Sequence, residues 1–381
     1  MTTPTPAADP CELAPQYVRA IAPYQPGKPI SELARELGLE EATIVKLASN
    51  ENPLGISPKA RSAIAAALVD LGRYPDGNGF ELKTALAARY GVPPSGIVLG
   101  NGSNDVLEMI AIALLGPGRA AVYSQHAFAV YPLATQARGA RGIAVPARAW
   151  GHDLAAMAQA IDAETRVVFI ANPNNPTGTL LAPAEIEAFL RAVPPHVAVV
   201  IDEAYNEYLP QAARYDSVAW LARHRNLIVT RTFSKAYGLA GLRVGFALCD
   251  ARIADLLNRV RQPFNVNNLA LAAAAAALGD AAFVRESHAL NLAGMAQLTA
   301  GFHRLGLAWI PSSGNFVSVE IPRAAGKARA GEVFEHLLRQ GVIVRPVAGY
   351  GMPDHLRVTI GLAAENERFL AALAAALRAQ P

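Results

Sequence analysis

Apolar residues along this chain follow two patterns, and the change between them falls near residue 283. From about Asn50 to Ala282, short apolar or β-branched runs alternate with helical stretches, and each run ends in a polar or glycine-rich loop. Runs that are apolar at successive positions suit strands covered on both faces, so this region is expected to form a mainly parallel sheet between helices. The strands so predicted are Gly96–Leu99, Ala120–Tyr123, Val167–Ala171, Val197–Ile201, Asn226–Thr230 and Arg243–Leu248. In open α/β sheets ligands bind beyond the carboxyl ends of the strands, which directs the search for chemistry to the loops that follow them.

From Phe283 onward the pattern becomes a long helix, then Asn315–Ile321, a helix near Ala330–Gln340, the runs Val342–Pro346 and Leu356–Ile360, and a last helix. That order predicts a smaller α+β domain. A chain of 381 residues is long for a single core. The expected division is an arm at 1–52 that joins the small domain, a large α/β domain at 53–282, and a C-terminal small domain at 283–381.

Composition narrows the partners. The 34 basic and 31 acidic side chains give a near-neutral surface with no basic stripe, so nucleic acid is not an expected partner. Two isolated cysteines, Cys11 and Cys249, make neither a disulfide framework nor a thiolate metal site, and no metal is expected. The first residues lack the basic and apolar regions of a signal peptide. The longest apolar run, Leu269 to Leu278, falls short of the roughly 20 residues that cross a bilayer. A cytoplasmic protein without membrane contact is the expectation.

Lysine usage supplies the first chemical clue, because the chain has 28 arginines and only six lysines, with Lys235 alone between positions 84 and 326. Where arginine is otherwise preferred, a lysine just after a predicted strand suggests a need for an amine, which can be deprotonated and condensed with a carbonyl. Ser234 precedes it and Arg243 follows beside glycines, a grouping suited to a phosphate dianion. Gly102, Ser103 and Asn104 lie between a strand and a helix, where free N–H groups make a second anion site or simply cap the helix. Asp202 ends another strand, with Tyr205 three residues on; a carboxylate there could hold a protonated ring nitrogen, or cap the next helix. Asn172-Pro-Asn-Asn175-Pro-Thr-Gly178 specifies a turn after a further strand.

Taken together, Asn172–Gly178, Asp202–Tyr205, Ser234-Lys235 and Gly241-Leu-Arg243 resemble the fold type I, aspartate-aminotransferase-like enzymes in order and spacing. Ala48-Ser-Asn50-Glu-Asn52-Pro-Leu-Gly55, Arg73-Tyr74-Pro-Asp-Gly77 and Leu356-Arg357-Val-Thr-Ile-Gly361 are similar to the branch of that family acting on histidinol phosphate, from about Tyr17 onward. The resemblance implies pyridoxal 5'-phosphate carried as a Schiff base on Lys235, with Asp202 holding its ring nitrogen and Tyr205 and Asn175 its ring oxygen. It implies a phosphate cradle of Gly102, Ser103, Asn104, Ser234 and Arg243, and Phe128 over the ring, with His126 as the other candidate. Arg357 would grip the substrate anion, with Tyr24, Asn50 and Arg345 as further substrate contacts. Tyr74 would reach the cofactor of a second subunit, implying a homodimer with composite sites. The implied reaction is reversible amino transfer between glutamate and imidazole-acetol phosphate, giving 2-oxoglutarate and histidinol phosphate. Aromatic amino-acid aminotransferases and amino-acid phosphate decarboxylases are the alternatives.

Overall fold

The computed structural model describes residues 9–324 and 326–379. The extreme amino terminus, where no signal peptide is expected, lies outside the described residues.

Seven strands form the large sheet: β1 (Ile97–Gly100), β2 (Ala120–Ser124), β3 (Arg141–Val145), β4 (Thr165–Ala171), β5 (Ala198–Asp202), β6 (Leu227–Thr232) and β7 (Gly245–Cys249). Their spatial order is β1-β7-β6-β5-β4-β2-β3. Only β7 runs against its neighbours, β1 and β6. The link from β6 to β7 contains no long helix. A parallel return needs a long crossover, usually helical, to carry the chain back across the sheet, and without one β7 returns antiparallel beside β6.

Alternation along each strand sends side chains to two separate cores. Val168, Ile170, Val199 and Ile201 pack on one face with Phe189, Trp220 and Phe233. Val167, Phe169 and Val200 face the other, with Met109, Ile110 and Tyr131. Both faces are therefore dry, which is why the strands read as unbroken apolar runs. The edge strand β3 is mostly exposed and mixes arginine, glycine and alanine with its apolar residues, so no apolar run marks it.

In the smaller unit, Phe316–Glu320 pairs antiparallel with His355–Thr359 and with Trp309–Ile310, and Arg345–Pro346 pairs with His355–Thr359. Helices Ala281–Arg304, Ala330–Arg339 and Ala363–Arg378 cover this sheet. The run expected as one strand at Val342–Pro346 divides. Val342–Ile343 pairs with Val45–Lys46 of the amino-terminal arm, whereas Arg345–Pro346 joins the four-stranded sheet. Among the described residues, no single helix is long and apolar enough to cross a membrane.

Parallel pairing of β4, β5 and β6 brings their carboxyl ends to one rim. Ala171 pairs with Asp202 and Asp202 with Thr230.

Candidate active site

Asp202 is the last residue of β5 and is buried. Its two oxygens are separately engaged: the Tyr131 hydroxyl donates to Oδ2 at 2.9 Å and the Thr230 hydroxyl to Oδ1 at 3.1 Å. Burial raises its carboxyl pKa, and the hydrogen bonds from Tyr131 and Thr230 work against that rise. Asp202 lines a cavity of about 200 Å³. A buried carboxylate so oriented is suited to meet a cation inside that cavity. Tyr131 itself is fully buried and stacked on Phe169, with ring centroids 4.8 Å apart. Neither Tyr131 nor Thr230 was expected from sequence. Tyr131, on the helix Val130–Ala137, reaches Asp202 only through tertiary packing, and Thr230 only through the pairing of β5 with β6.

Across the cavity, the helix Ser103–Leu114 starts just after β1, with Gly102 as its N-cap at a positive φ of 82° that favours glycine. Ser103 and Asn104 line the cavity from this first turn. Free N–H groups and the positive end of the helix dipole make the turn an anion site. Arg243 also takes a left-handed φ, 57°, and this conformation is why β7 begins at Gly245 and not at Arg243 as the apolar pattern suggests. Its guanidinium donates to Ala240 O at 3.1 Å and lies 3.4 Å from Ser234 Oγ. Two glycines allow the convergence. A Cβ on Gly102 would overlap the Arg243 guanidinium, and one on Gly245 would overlap the backbone N of Ser103.

Lys235 projects from the loop after β6 into the same space. Its Nζ donates to Ser49 O at 3.0 Å, a contact absent from the sequence reading. Burial, followed by the positive charge of Arg357, lowers the amine to a pKa of about 7. The amine is therefore partly neutral near neutral pH and able to act as a nucleophile or base.

The smaller unit closes the cavity. Arg357, buried on His355–Thr359, donates to Asn175 Oδ1 at 2.5 Å and to Ala48 O at 2.7 Å. Ser318 reaches across to Pro176 O at 2.7 Å and holds the Asn175 turn against the small sheet. Asn50, at φ 56°, receives Thr359 Oγ1 on its side chain and donates Nδ2 to Tyr205 Oη at 2.9 Å. The Tyr205 hydroxyl thus accepts from Asn50 and keeps its own proton to donate; burial holds its pKa up at about 12.

Phe128 lines the cavity, whereas His126 turns away, with Nδ1 2.7 Å from Tyr350 O and its ring beside Trp150. Tyr24 and Arg345 stand together at the mouth, the guanidinium 5.5 Å from the ring centre. Tyr350 lines the mouth too, a residue the sequence reading did not single out. Tyr74 is not in the cavity. It is 82% exposed and stacked on Phe264 at 4.7 Å.

This geometry has close relatives. The family described as aminotransferase class I and II matches residues 42–373. Histidinol-phosphate aminotransferase 2 of Nitrosospira multiformis is 62% identical over 367 residues, covering 96% of this chain and 92% of the relative. Histidinol-phosphate aminotransferase 2 of Pseudomonas aeruginosa is 63% identical over 361 residues, covering 95% and 96%. Among solved structures, histidinol-phosphate aminotransferase from Sinorhizobium meliloti in complex with pyridoxal-5'-phosphate superposes with a TM-score of 0.87 at 29% identity, covering 95% of this chain and 97% of the other. The chain belongs to the class I and II aminotransferase family, alongside the histidinol-phosphate aminotransferases it matches along nearly its whole length.

Proposed function

We propose that this protein is a pyridoxal-phosphate-dependent aminotransferase that exchanges an amino group between glutamate and imidazole-acetol phosphate, giving 2-oxoglutarate and histidinol phosphate. The observation that carries the reading is one cavity lined together by a lysine of pKa about 7, a buried carboxylate, Asp202, and a buried arginine, Arg357.

The residues fit the cofactor by two tests. Gly102 and Gly245 leave room, where any side chain would intrude, for a helix terminus and Arg243 to meet a phosphate. Asp202 gives a ring cation a buried partner. When bound, pyridoxal phosphate supplies an aldehyde for amine condensation and a ring that withdraws electrons from the reacting carbon.

The protein's own contributions follow from the geometry. Ser103, Asn104, Ser234 and Arg243 would hold the phosphate, and Phe128, Tyr205 and Asn175, which line the same cavity, would hold the ring and its oxygen. Asp202, fixed by Tyr131 and Thr230, would hold the ring nitrogen in its protonated form. Lys235 Nζ takes the proton from the amino-bearing carbon of the substrate, and its lowered pKa makes the neutral form available near pH 7. Arg357 receives the substrate anion; its present acceptors, Asn175 and the Ala48 carbonyl, are neutral and leave its charge uncompensated. Arg345 and Tyr24 add a second cation and a hydroxyl at the mouth, and Asn50 orders Tyr205 within the cavity.

The homodimer belongs to the same proposal. Leu71, Tyr74, Phe80 and Phe264 are large apolar side chains exposed near one another in sequence or by stacking, and such surface is normally covered by a partner. Tyr74 of each subunit would then complete the other's phosphate site. A biosynthetic role of this kind suits the cytoplasm.

The test is an acceptor comparison with glutamate as donor. Imidazole-acetol phosphate should be aminated with a kcat/KM at least about tenfold above that of phenylpyruvate, a discrimination well within reach of one charged contact. Equal or better use of phenylpyruvate would overturn the substrate assignment and leave amino transfer standing.

A further inference from the structure

The amino ends of the central strands carry a second cleft, at the edge of the sheet opposite the active site. β4 starts at Thr165, β5 at Ala198 and β6 at Leu227, while β7 runs the other way and ends beside the start of β6. A five-residue strand separates the two edges by on the order of 17 Å. The cleft encloses about 960 Å³, near the upper end of the roughly 300–1,000 Å³ typical of small-molecule sites.

Its floor is apolar, formed by Leu114, Leu190, Ile253 and Leu257 from helices on both faces of the sheet. Its rim is arginine: Arg166, Arg191, Arg223, Arg225 and Arg252, with Asp250 as the one carboxylate among the described lining residues. Few of these charges are neutralised. Arg191 and Arg223 share a single acid, Glu187, at 3.6 and 2.8 Å. Arg166 donates to the backbone carbonyls of Ala163 and Thr165. Asp250 is occupied in capping the helix Ala251–Val260 through the Arg252 N–H. The excess of positive charge here is large for a chain whose formal net charge is only +3. His224, on the same rim, is held below its usual pKa by burial and then by Arg223, as expected in a positive field.

We propose that this cleft binds a nucleoside triphosphate, its phosphates on the arginine rim and its base on the apolar floor. Guanidinium forks match phosphate oxygens in pairs, and several forks on one rim suit a chain of phosphates better than a single carboxylate. The leucine and isoleucine floor meets only the face of a base, which all bases share, so the floor itself does not discriminate among them. The inference is independent of the amino-transfer reading, since no rim residue reaches the catalytic cavity.

Calorimetric titration of dialysed holoenzyme with ATP, GTP, inorganic tripolyphosphate and adenosine tests it. ATP and GTP should saturate one site per chain with affinities within about threefold of each other, and tripolyphosphate should bind about tenfold more weakly for want of the apolar contact. The paired substitution Arg225→Gln/Arg252→Gln should weaken ATP by about tenfold or more and leave the amino-transfer rate unchanged. Both side chains are exposed, and Arg166→Gln provides a second variant, with thermal melting as the check on folding. No saturable binding at millimolar ATP, or binding undiminished in the variants, would overturn the site. Tripolyphosphate binding as tightly as ATP would overturn the nucleoside assignment.

Discussion

Lys235 is set apart from the other five lysines by its surroundings. A lysine whose pKa falls from 10.5 to about 7 on folding binds fewer protons when folded than when unfolded between those values, so stability must rise with pH across that window. The cost of burying the charged amine is full below pH 7 and gone above about 10.5. In cofactor-free protein, Lys235→Met should therefore increase stability most near pH 6.5, on the order of a few kcal/mol, and progressively less as pH climbs. Urea unfolding at a series of pH values measures this; a gain independent of pH would show that the amine is not the source. Tyr131 is the second residue whose effect can be isolated. Tyr131→Phe keeps the stack on Phe169 and removes one hydrogen bond to a buried carboxylate, a loss of about 1.5–3 kcal/mol. Cofactor affinity should drop about tenfold or more, read by equilibrium dialysis, while the far-ultraviolet spectrum stays the same. An unchanged affinity would mean that Thr230 alone suffices to hold Asp202.

At the scale of elements, the phosphate site depends on how closely a helix terminus approaches a strand. Gly245 opens β7, and its missing side chain lets the first turn of Ser103–Leu114 lie against the strand. Gly245→Ala would drive a methyl group into the backbone at Ser103 and Gly102. The helix would have to shift, and its N–H groups would lose their aim at the phosphate. Cofactor retention through gel filtration should fall sharply, with a thermal loss of a few degrees, as for a cost of about 1–3 kcal/mol. Full retention would show that the terminus can move without consequence. Gly72, whose Cβ would meet nothing within 4 Å, is the control substitution to alanine.

At the scale of the molecule, the prediction concerns two subunits. Tyr74 is exposed in its own chain and contributes nothing to its own cavity. If it serves the partner's site, Tyr74→Ala and Lys235→Ala chains refolded together should complement. Random pairing makes about half the dimers mixed, and each mixed dimer has one site with both defects and one with neither, so roughly a quarter of wild-type activity should return. Recovery no greater than the mean of the two separate variants would place Tyr74 in its own subunit's structure alone.

Much of this architecture is written locally. Strands buried on both faces must be apolar at successive positions, so β4, β5 and β6 show as runs in the sequence, and the loops after them mark where chemistry belongs. Lys235, Asp202, the Asn175 turn and the glycines before Ser103 stand in those loops and are legible for that reason. What the sequence does not contain is the meeting of distant pieces. β3 is an exposed edge and has no apolar run to reveal it; Val342–Pro346 divides because two different partners claim its halves. Strand pairing sets Thr230 beside Asp202, the small sheet sets Thr359 on Asn50 and Arg357 on Asn175, and the arm brings Ser49 O to the amine of Lys235. The five arginines of the opposite cleft come from the start of β4, the turn before β6 and the helices Pro183–Ala192 and Ala251–Val260. Local pattern decides which residues are buried and where a loop begins, because those depend on neighbours in the chain. Which side chains share a cavity depends on register and packing across more than a hundred residues, and only the folded molecule decides that.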